Sequence, residues 1–174
     1  KPKFWDDSRI SVFAVLLYPI SMLYLLISFI NKFKPSKKYS IPIICVGNIY
    51  IGGTGKTPLT AEIFKLIKSL GKNPAFVKKH YDYLEDEINM LKKIGPTFVS
   101  KKRKFAVDSL KKENHDVAIL DDGFQDFSIE KNFSIVCFNQ KQWIGNNLLI
   151  PSGPLREKLS SLKRAHCIFI NGSK

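Results

Sequence analysis

The sequence predicts an α/β fold: a mostly parallel sheet with helices on both faces, preceded by a separate apolar helix. Three observations carry this. From Ile41 onward, short apolar runs alternate with stretches of helical periodicity, the pattern of parallel strands joined by crossover helices. A glycine cluster at 52–55 lies between the first such run and the clearest helical stretch. Ahead of them, Ile10 to Ile30 carries no charge at all.

The elements follow in chain order. Ile10 to Ile30 is 21 residues long, flanked by Arg9 on one side and by Lys32, Lys34, Lys37 and Lys38 on the other. About 20 apolar residues can span a bilayer. Pro19 is expected to kink the middle, Ser11, Ser21 and Ser28 dilute it, and Tyr18 and Tyr24 suit a membrane interface. The segment reads as membrane-associated, with spanning and in-plane lying both open, and the lysines after it place the remaining chain on the cytoplasmic side. Strands are expected at Ile41–Val46, Ala75–Val77, Thr97–Val99, Val117–Leu120, Ser134–Phe138 and Cys167–Ile170. Helices are expected between them. The clearest is Lys56–Leu70, where Leu59, Ile63, Leu66, Ile67 and Leu70 recur at helical spacing and Gly71 supplies the stop. Leu84–Ile94 and Phe105–Lys112 are the others.

Composition narrows the function. A chain of 174 residues with 44% hydrophobic and 25% charged residues sustains one buried core and excludes a disordered or polytopic membrane protein. The balance of 28 Lys+Arg against 15 Asp+Glu gives +13, which suits anionic headgroups, phosphates or nucleic acid. The basic residues are not interleaved with aromatics as base-stacking surfaces require, so no nucleic-acid partner is expected. Cys45, Cys137 and Cys167 each sit in a β-branched apolar run, match no metal or redox spacing, and read as buried core thiols of a reducing compartment.

Three motifs carry chemistry. Gly52-Gly53-Thr54-Gly55-Lys56-Thr57 lies where a strand hands over to a helix, the setting of a phosphate-binding P-loop. Its glycines let backbone N–H groups turn around phosphates, the helix N-terminus adds partial positive charge, Lys56 neutralises β/γ oxygens, and Thr57 offers a hydroxyl to Mg²⁺. Tyr50 stands where the strict pattern has a further glycine. The second motif, VAILDDGFQ from Val117 to Gln125, ends an apolar strand in Asp121 and Asp122, a Walker-B arrangement that would meet the P-loop across the sheet's ligand crevice and hold the metal. The third, Tyr81 to Glu87, crowds four acids among lysines; Asp86 or Glu87 at a helix start suits a base for an alcohol proton, and equally a solvated helix N-terminus. In Pro151–Glu157, Arg156 is placed to clamp a phosphate or to stand as an ordinary loop arginine.

Taken together, KPKFW, the Pro19-centred apolar segment, ICVGNIYIGGTGKTP, LDDGFQ and IPSGPLRE resemble the tetraacyldisaccharide 4′-kinase family of lipid A biosynthesis. The resemblance implies a P-loop NTPase-like fold and Mg²⁺-dependent transfer of the ATP γ-phosphate to the 4′-hydroxyl of a lipid A disaccharide 1-phosphate, at the cytoplasmic face of the bacterial inner membrane. By motif position it implies Asp86, Lys56 and Arg156 as catalytic. Gly52, Gly53, Thr54, Gly55, Lys56, Thr57, Tyr81, Arg103 and Gln125 would bind nucleotide, and Thr57, Glu87, Asp121 and Asp122 the metal. The family's SRGYG appears here as Lys78 to Asp82, and Asp126 stands at its usual histidine. The division expected is a membrane segment at 1–38 and a nucleotide-binding domain at 39–174, the N-terminal lobe or a shortened form of the family, without its second lobe. A membrane-attached ATPase switch and a non-catalytic nucleotide-binding form fit the same motifs.

Overall fold

A computed structural model describes residues 1–6, 10–81 and 85–172. Arg9, Asp82 and Leu84, which flank or begin expected features, lie outside the described residues, as does Tyr83 within the acidic segment.

The chain builds helix α1 (Val12–Asn31), then β1 (Ile43–Gly47), α2 (Lys56–Ser69), β2 (Pro74–Lys79), α3 (Glu85–Lys92), β3 (Thr97–Ser100), α4 (Arg103–Lys112), β4 (Val117–Asp121), β5 (Phe133–Asn139) and β6 (Cys167–Asn171). The six strands form one parallel sheet in the order β3-β2-β4-β1-β5-β6. All six expected strands are present, with ends shifted by a residue or two. That is where terminal pairing rather than side-chain pattern decides the boundary.

Alternation along the strands sends side chains to two cores. Ala75, Val77, Ala118 and Leu120 join Ala106, Val107 and Leu110 of α4 on one face. Phe76, Val117 and Ile119 join Phe64 of α2 and Leu91 of α3 on the other. Helices therefore cover both faces, and each strand of the centre is buried twice, which is why it reads as a continuous apolar run.

Several expectations change. Cys45 and Cys137 are buried, but Cys167 is exposed. It lies on β6, which pairs on one side only, with β5, and whose five residues are all exposed. Helix α4 begins two residues before the expected Phe105, placing Arg103 in its first turn. The apolar segment is helical without a break at Pro19. It docks on the sheet domain through its few polar groups. Ser11 caps its N-terminus by accepting from the Ala14 amide at 3.1 Å. Ser21 is buried, donates to the Leu149 carbonyl at 3.0 Å and accepts from the Ser152 amide at 3.1 Å. Tyr24 donates to the Arg156 carbonyl at 2.9 Å, rather than standing free for an interface. Trp5, just ahead of the helix, donates from its indole to the Pro151 carbonyl at 2.9 Å, so KPKFW and PSGPLRE meet in space. Ala14 is buried on the same side and Leu17, Leu25 and Ser28 are half-buried, whereas Val12, Phe13, Leu16, Leu23, Leu26, Phe29 and Ile30 are exposed.

Candidate active site

The strand order fixes where a ligand goes. The connection leaving β1 crosses to β2 on one side, while that leaving β4 crosses to β5 on the other. The C-terminal ends of the adjacent β1 and β4 thus flank a topological switch point, the usual ligand crevice of an open parallel sheet. The two motifs occupy these two ends. The glycine-rich loop follows β1, and Asp121 ends β4 in register with Val46.

The loop's conformation explains its glycines. Gly52 and Gly55 sit at φ 152° and 79°, where a side chain is strained. Gly55 is the N-cap of α2, so the turn delivers unpaired helix amides to the crevice. Gly53 is exposed with open space where a side chain would start. Thr54 is buried instead: its hydroxyl accepts from Asn48 Nδ2 at 3.4 Å, tying the loop to the end of β1. Lys56 has no carboxylate within ion-pair distance among the described residues, although its charge acts on Asp122. An ammonium beside open glycines and helix amides is what a polyphosphate requires.

The acidic pair is divided in role. Asp121 is fully buried and accepts from the hydroxyls of Thr57 and Thr60, each at 3.3 Å. It also pairs with Lys78, a buried lysine whose Nζ reaches Glu87 Oε2 at 2.5 Å. Burial alone would lower the Lys78 pKa, but Asp121 and Glu87 outweigh it and hold it above the ordinary lysine value. Asp122, at φ 54°, turns away from the strand and accepts from Arg156 at 2.8 Å. Burial would raise its pKa; the Arg156, Lys56 and Arg103 cations win, and its carboxyl lies below the usual range. Arg156 also donates to Asn48 Oδ1 at 3.0 Å, so one guanidinium joins the loop after β1 to the loop after β4.

The other expected residues divide between crevice and scaffold. Arg103 is buried, and donates to the Asp122 carbonyl at 2.6 Å and to Asp126 at 3.4 Å, closing the turn after β4. Gln125 donates to the Asn48 carbonyl at 2.6 Å, while its buried Oε1 has no partner among the described residues. Tyr81, stacked under Lys79 at 4.8 Å, joins Arg103, Gln125, Arg156 and Asp122 around a cleft of about 570 Å³ rimmed by lysines. Asp86 is exposed in the first turn of α3, beside Glu87. Sequence reasoning missed Lys78 and Asn48 as organisers. The one signal for Lys78 is a lysine set directly after the apolar run of its strand, PAFVKK.

The donor set fits magnesium. The Thr57 hydroxyl and the Asp121 carboxylate meet at 3.3 Å with Asp122 next along the chain, and no three His, Cys, Asp or Glu side chains gather as a metal site among the described residues. That is the pattern of an ion held by one or two protein oxygens plus phosphates, rather than by a protein cage.

The sheet order, the glycine turn and the acidic strand end define a P-loop nucleotide-binding α/β domain. The model of the tetraacyldisaccharide-1-P 4′-kinase family matches residues 13–92 and 78–174. The chain belongs to that family. The tetraacyldisaccharide 4′-kinase of Pelagibacter ubique is 45% identical over 177 residues, covering 100% of this chain and 55% of that protein. That of Rhodopseudomonas palustris is 31% identical over 191 residues, covering 99% and 56%. The crystal structure of LpxK from Aquifex aeolicus in complex with ATP superposes with a TM-score of 0.78 at 27% identity, over 92% of this chain and 59% of that one. The chain spans just over half the length of these relatives.

Proposed function

We propose that the whole protein transfers the γ-phosphate of ATP to the 4′-hydroxyl of a lipid A disaccharide 1-phosphate precursor, working on the cytoplasmic face of the bacterial inner membrane. The observation that carries the reading is the meeting of the P-loop and the acidic strand end: Thr57 Oγ1 lies 3.3 Å from Asp121 across the switch point. Family membership supports the acceptor, and the ATP reported with the Aquifex aeolicus relative supports the donor.

The chain's own residues do mostly positioning and charge work, as phosphoryl transfer requires. The amides of 52–57 and the Lys56 ammonium hold the phosphates. A magnesium ion held by Thr57 with Asp121 or Asp122 would offset charge on the β- and γ-oxygens. Arg156 fixes Asp122 as a carboxylate and lines the cleft, where its second face meets an anionic acceptor. Lys78 is a positioning residue, tying Glu87 and hence the start of α3 to Asp121. Asp86, in the same helical turn, is the carboxylate we assign to orient the acceptor hydroxyl.

The lipid reaches the cleft along α1. A hollow of about 480 Å³ between α1 and the Arg156–Ser161 stretch is walled by Met22, Leu25, Leu26 and Phe29 on one side and by Arg156 and Ser160 on the other, a surface suited to acyl chains beneath a charged sugar.

The test is Lys56→Ala in the full-length protein, assayed for 4′-phosphorylated lipid disaccharide. A loss of roughly a hundredfold or more in rate is expected, the scale of removing a preorganised charge from a transition state. Near-normal product overturns the role of Lys56. ATP hydrolysis by the wild-type protein without lipid product would favour a nucleotide switch instead.

A further inference from the structure

We propose that the hollow at the C-terminal end of α1 is a site for the phosphate of an anionic phospholipid headgroup, separate from the P-loop. Three cations converge there on one aromatic ring. Lys32 Nζ, Lys131 Nζ and the Arg164 guanidinium lie 5.9, 5.8 and 4.7 Å from the centre of the Phe127 ring. A ring attracts each cation weakly. Three cations gathered around one ring also repel one another, and they do so through a partly desolvated medium where that repulsion is felt more strongly than in water. The ring alone does not account for the arrangement; an anion shared among the three does.

The protein's own carboxylates do not supply that anion. Glu157 pairs with Arg164, but among the described residues no carboxylate lies within ion-pair distance of Lys32, Lys34 or Lys131. Asp126, close enough for its charge to act on Lys131, turns its carboxylate to Ser128 and Arg103 and offers Lys131 only its backbone carbonyl. Burial lowers the Lys131 pKa, Cys45 and Asp126 pull it back up and the Arg164 and Arg103 charges push it down again, with a net lowering that disfavours the ammonium as the protein stands. There is room for the counter-charge: the hollow measures about 260 Å³, and Lys34, Ser36 and Ser134 complete its wall with further donors.

Location selects the source of the phosphate. The hollow begins at the residue after α1, and the outward side chains of α1 are apolar along its length. A helix lying in a bilayer puts this hollow level with the headgroups of the same leaflet, where basic residues meet anionic lipid. The inference rests on the membrane reading of α1 and is independent of phosphoryl transfer.

The experiment is co-sedimentation of the full-length protein with phosphatidylcholine vesicles, pure and doped with phosphatidylglycerol, comparing wild type with Lys131→Met, Lys32→Ala and Lys38→Ala. Lys38 is exposed on the same basic segment and does not line the hollow, so its removal deletes equal charge outside it. Diffuse attraction predicts the same loss for every lysine, about fivefold each. The site adds to that attraction, so it predicts a loss of roughly twentyfold or more on doped vesicles for Lys131→Met and Lys32→Ala, against about fivefold for Lys38→Ala. Binding to pure phosphatidylcholine should not change. Equal losses at Lys131 and Lys38 overturn the site while leaving the membrane reading standing; absence of binding to any vesicle overturns both. Inorganic phosphate at matched ionic strength is the second probe. It should raise the melting temperature of wild type but not of Lys131→Met. If it does so while vesicle binding ignores both pocket variants, the ligand is soluble phosphate and the lipid assignment is wrong. Lys32 is exposed, so its variant keeps the test decisive should Lys131→Met fold poorly.

Discussion

Asp121 draws more of the site's organisation than any other single residue. It is fully buried, yet it takes an ammonium and two hydroxyls. Its charge is therefore held in place by Lys78 in the first instance. Lys78→Met keeps the side chain's bulk and leaves that charge uncompensated. Removing one partner of a buried pair typically costs about 3–5 kcal/mol, and the threonine hydroxyls put the expected loss toward the lower end. Chemical denaturation measures it. Adding Asp121→Asn should recover a large part, and a double variant no more stable than Lys78→Met would show the pair is not what holds this corner. Asp122 makes stability depend on pH. Its folded pKa is depressed, so the stability it contributes is present above the unfolded value of about 3.9 and fades as pH falls through the folded one. Arg156→Gln removes a charged hydrogen bond worth about 1.5–3 kcal/mol and lets that pKa rise. The acid-unfolding midpoint followed by circular dichroism should then move to higher pH; an unmoved midpoint would count against the Arg156–Asp122 pair. At this scale sequence reasoning reached the residues whose motif dictates their work, such as Lys56, Thr57 and the two aspartates. It did not reach Lys78 or Asn48, because their roles come from which strand end faces which, and no spacing rule encodes that.

Elements were more legible than residues, for a physical reason. A strand buried on both faces must be apolar throughout, and a helix packed on a sheet must repeat its apolar positions at 3.6 residues, so composition along the chain maps directly onto the layers. The reading failed where local pattern and tertiary position part company. Cys167 sits in an apolar run like those of Cys45 and Cys137, yet its strand is the sheet's outer one and is exposed. That difference predicts reactivity. Burial pushes the Cys45 thiol up to about 11 and the Cys137 thiol up to about 12, so both stay protonated as well as covered at neutral pH. A thiol-specific reagent on native protein, followed by mass spectrometry, should modify Cys167 alone, with Cys45 and Cys137 reacting only after unfolding. Labelling of Cys137 at the pace of Cys167 would mean that the β1–β5 face opens readily.

For the molecule as a whole, the proposed reaction asks how a nucleotide site at the C-terminal ends of the central strands meets a lipid, and on that proposal the docking of α1 favours one of the two arrangements that length and apolarity leave open. The helix is long and apolar enough to cross a bilayer. Yet Ser21, in its middle, and Tyr24 are hydrogen-bonded to the backbone of the Leu149–Arg156 stretch, and Trp5, ahead of its start, to Pro151 in the same stretch. Were α1 perpendicular to the membrane, that irregular backbone would stand near the bilayer centre, where water cannot serve its polar groups. Lying in the plane would remove the conflict: the docked stripe faces the protein, and the exposed Phe13, Leu16, Leu23, Ile27 and Ile30 would face lipid. Spin labels at these five positions in membrane-bound protein, read by power saturation, should report one common depth of about 5–10 Å below the headgroups. A spanning helix would instead carry them from one interface through the centre toward the other, over roughly 30 Å. A depth that changes steadily with residue number would sink the in-plane arrangement, and with it the proposed route by which an acceptor held in one leaflet would slide along α1 to Arg156.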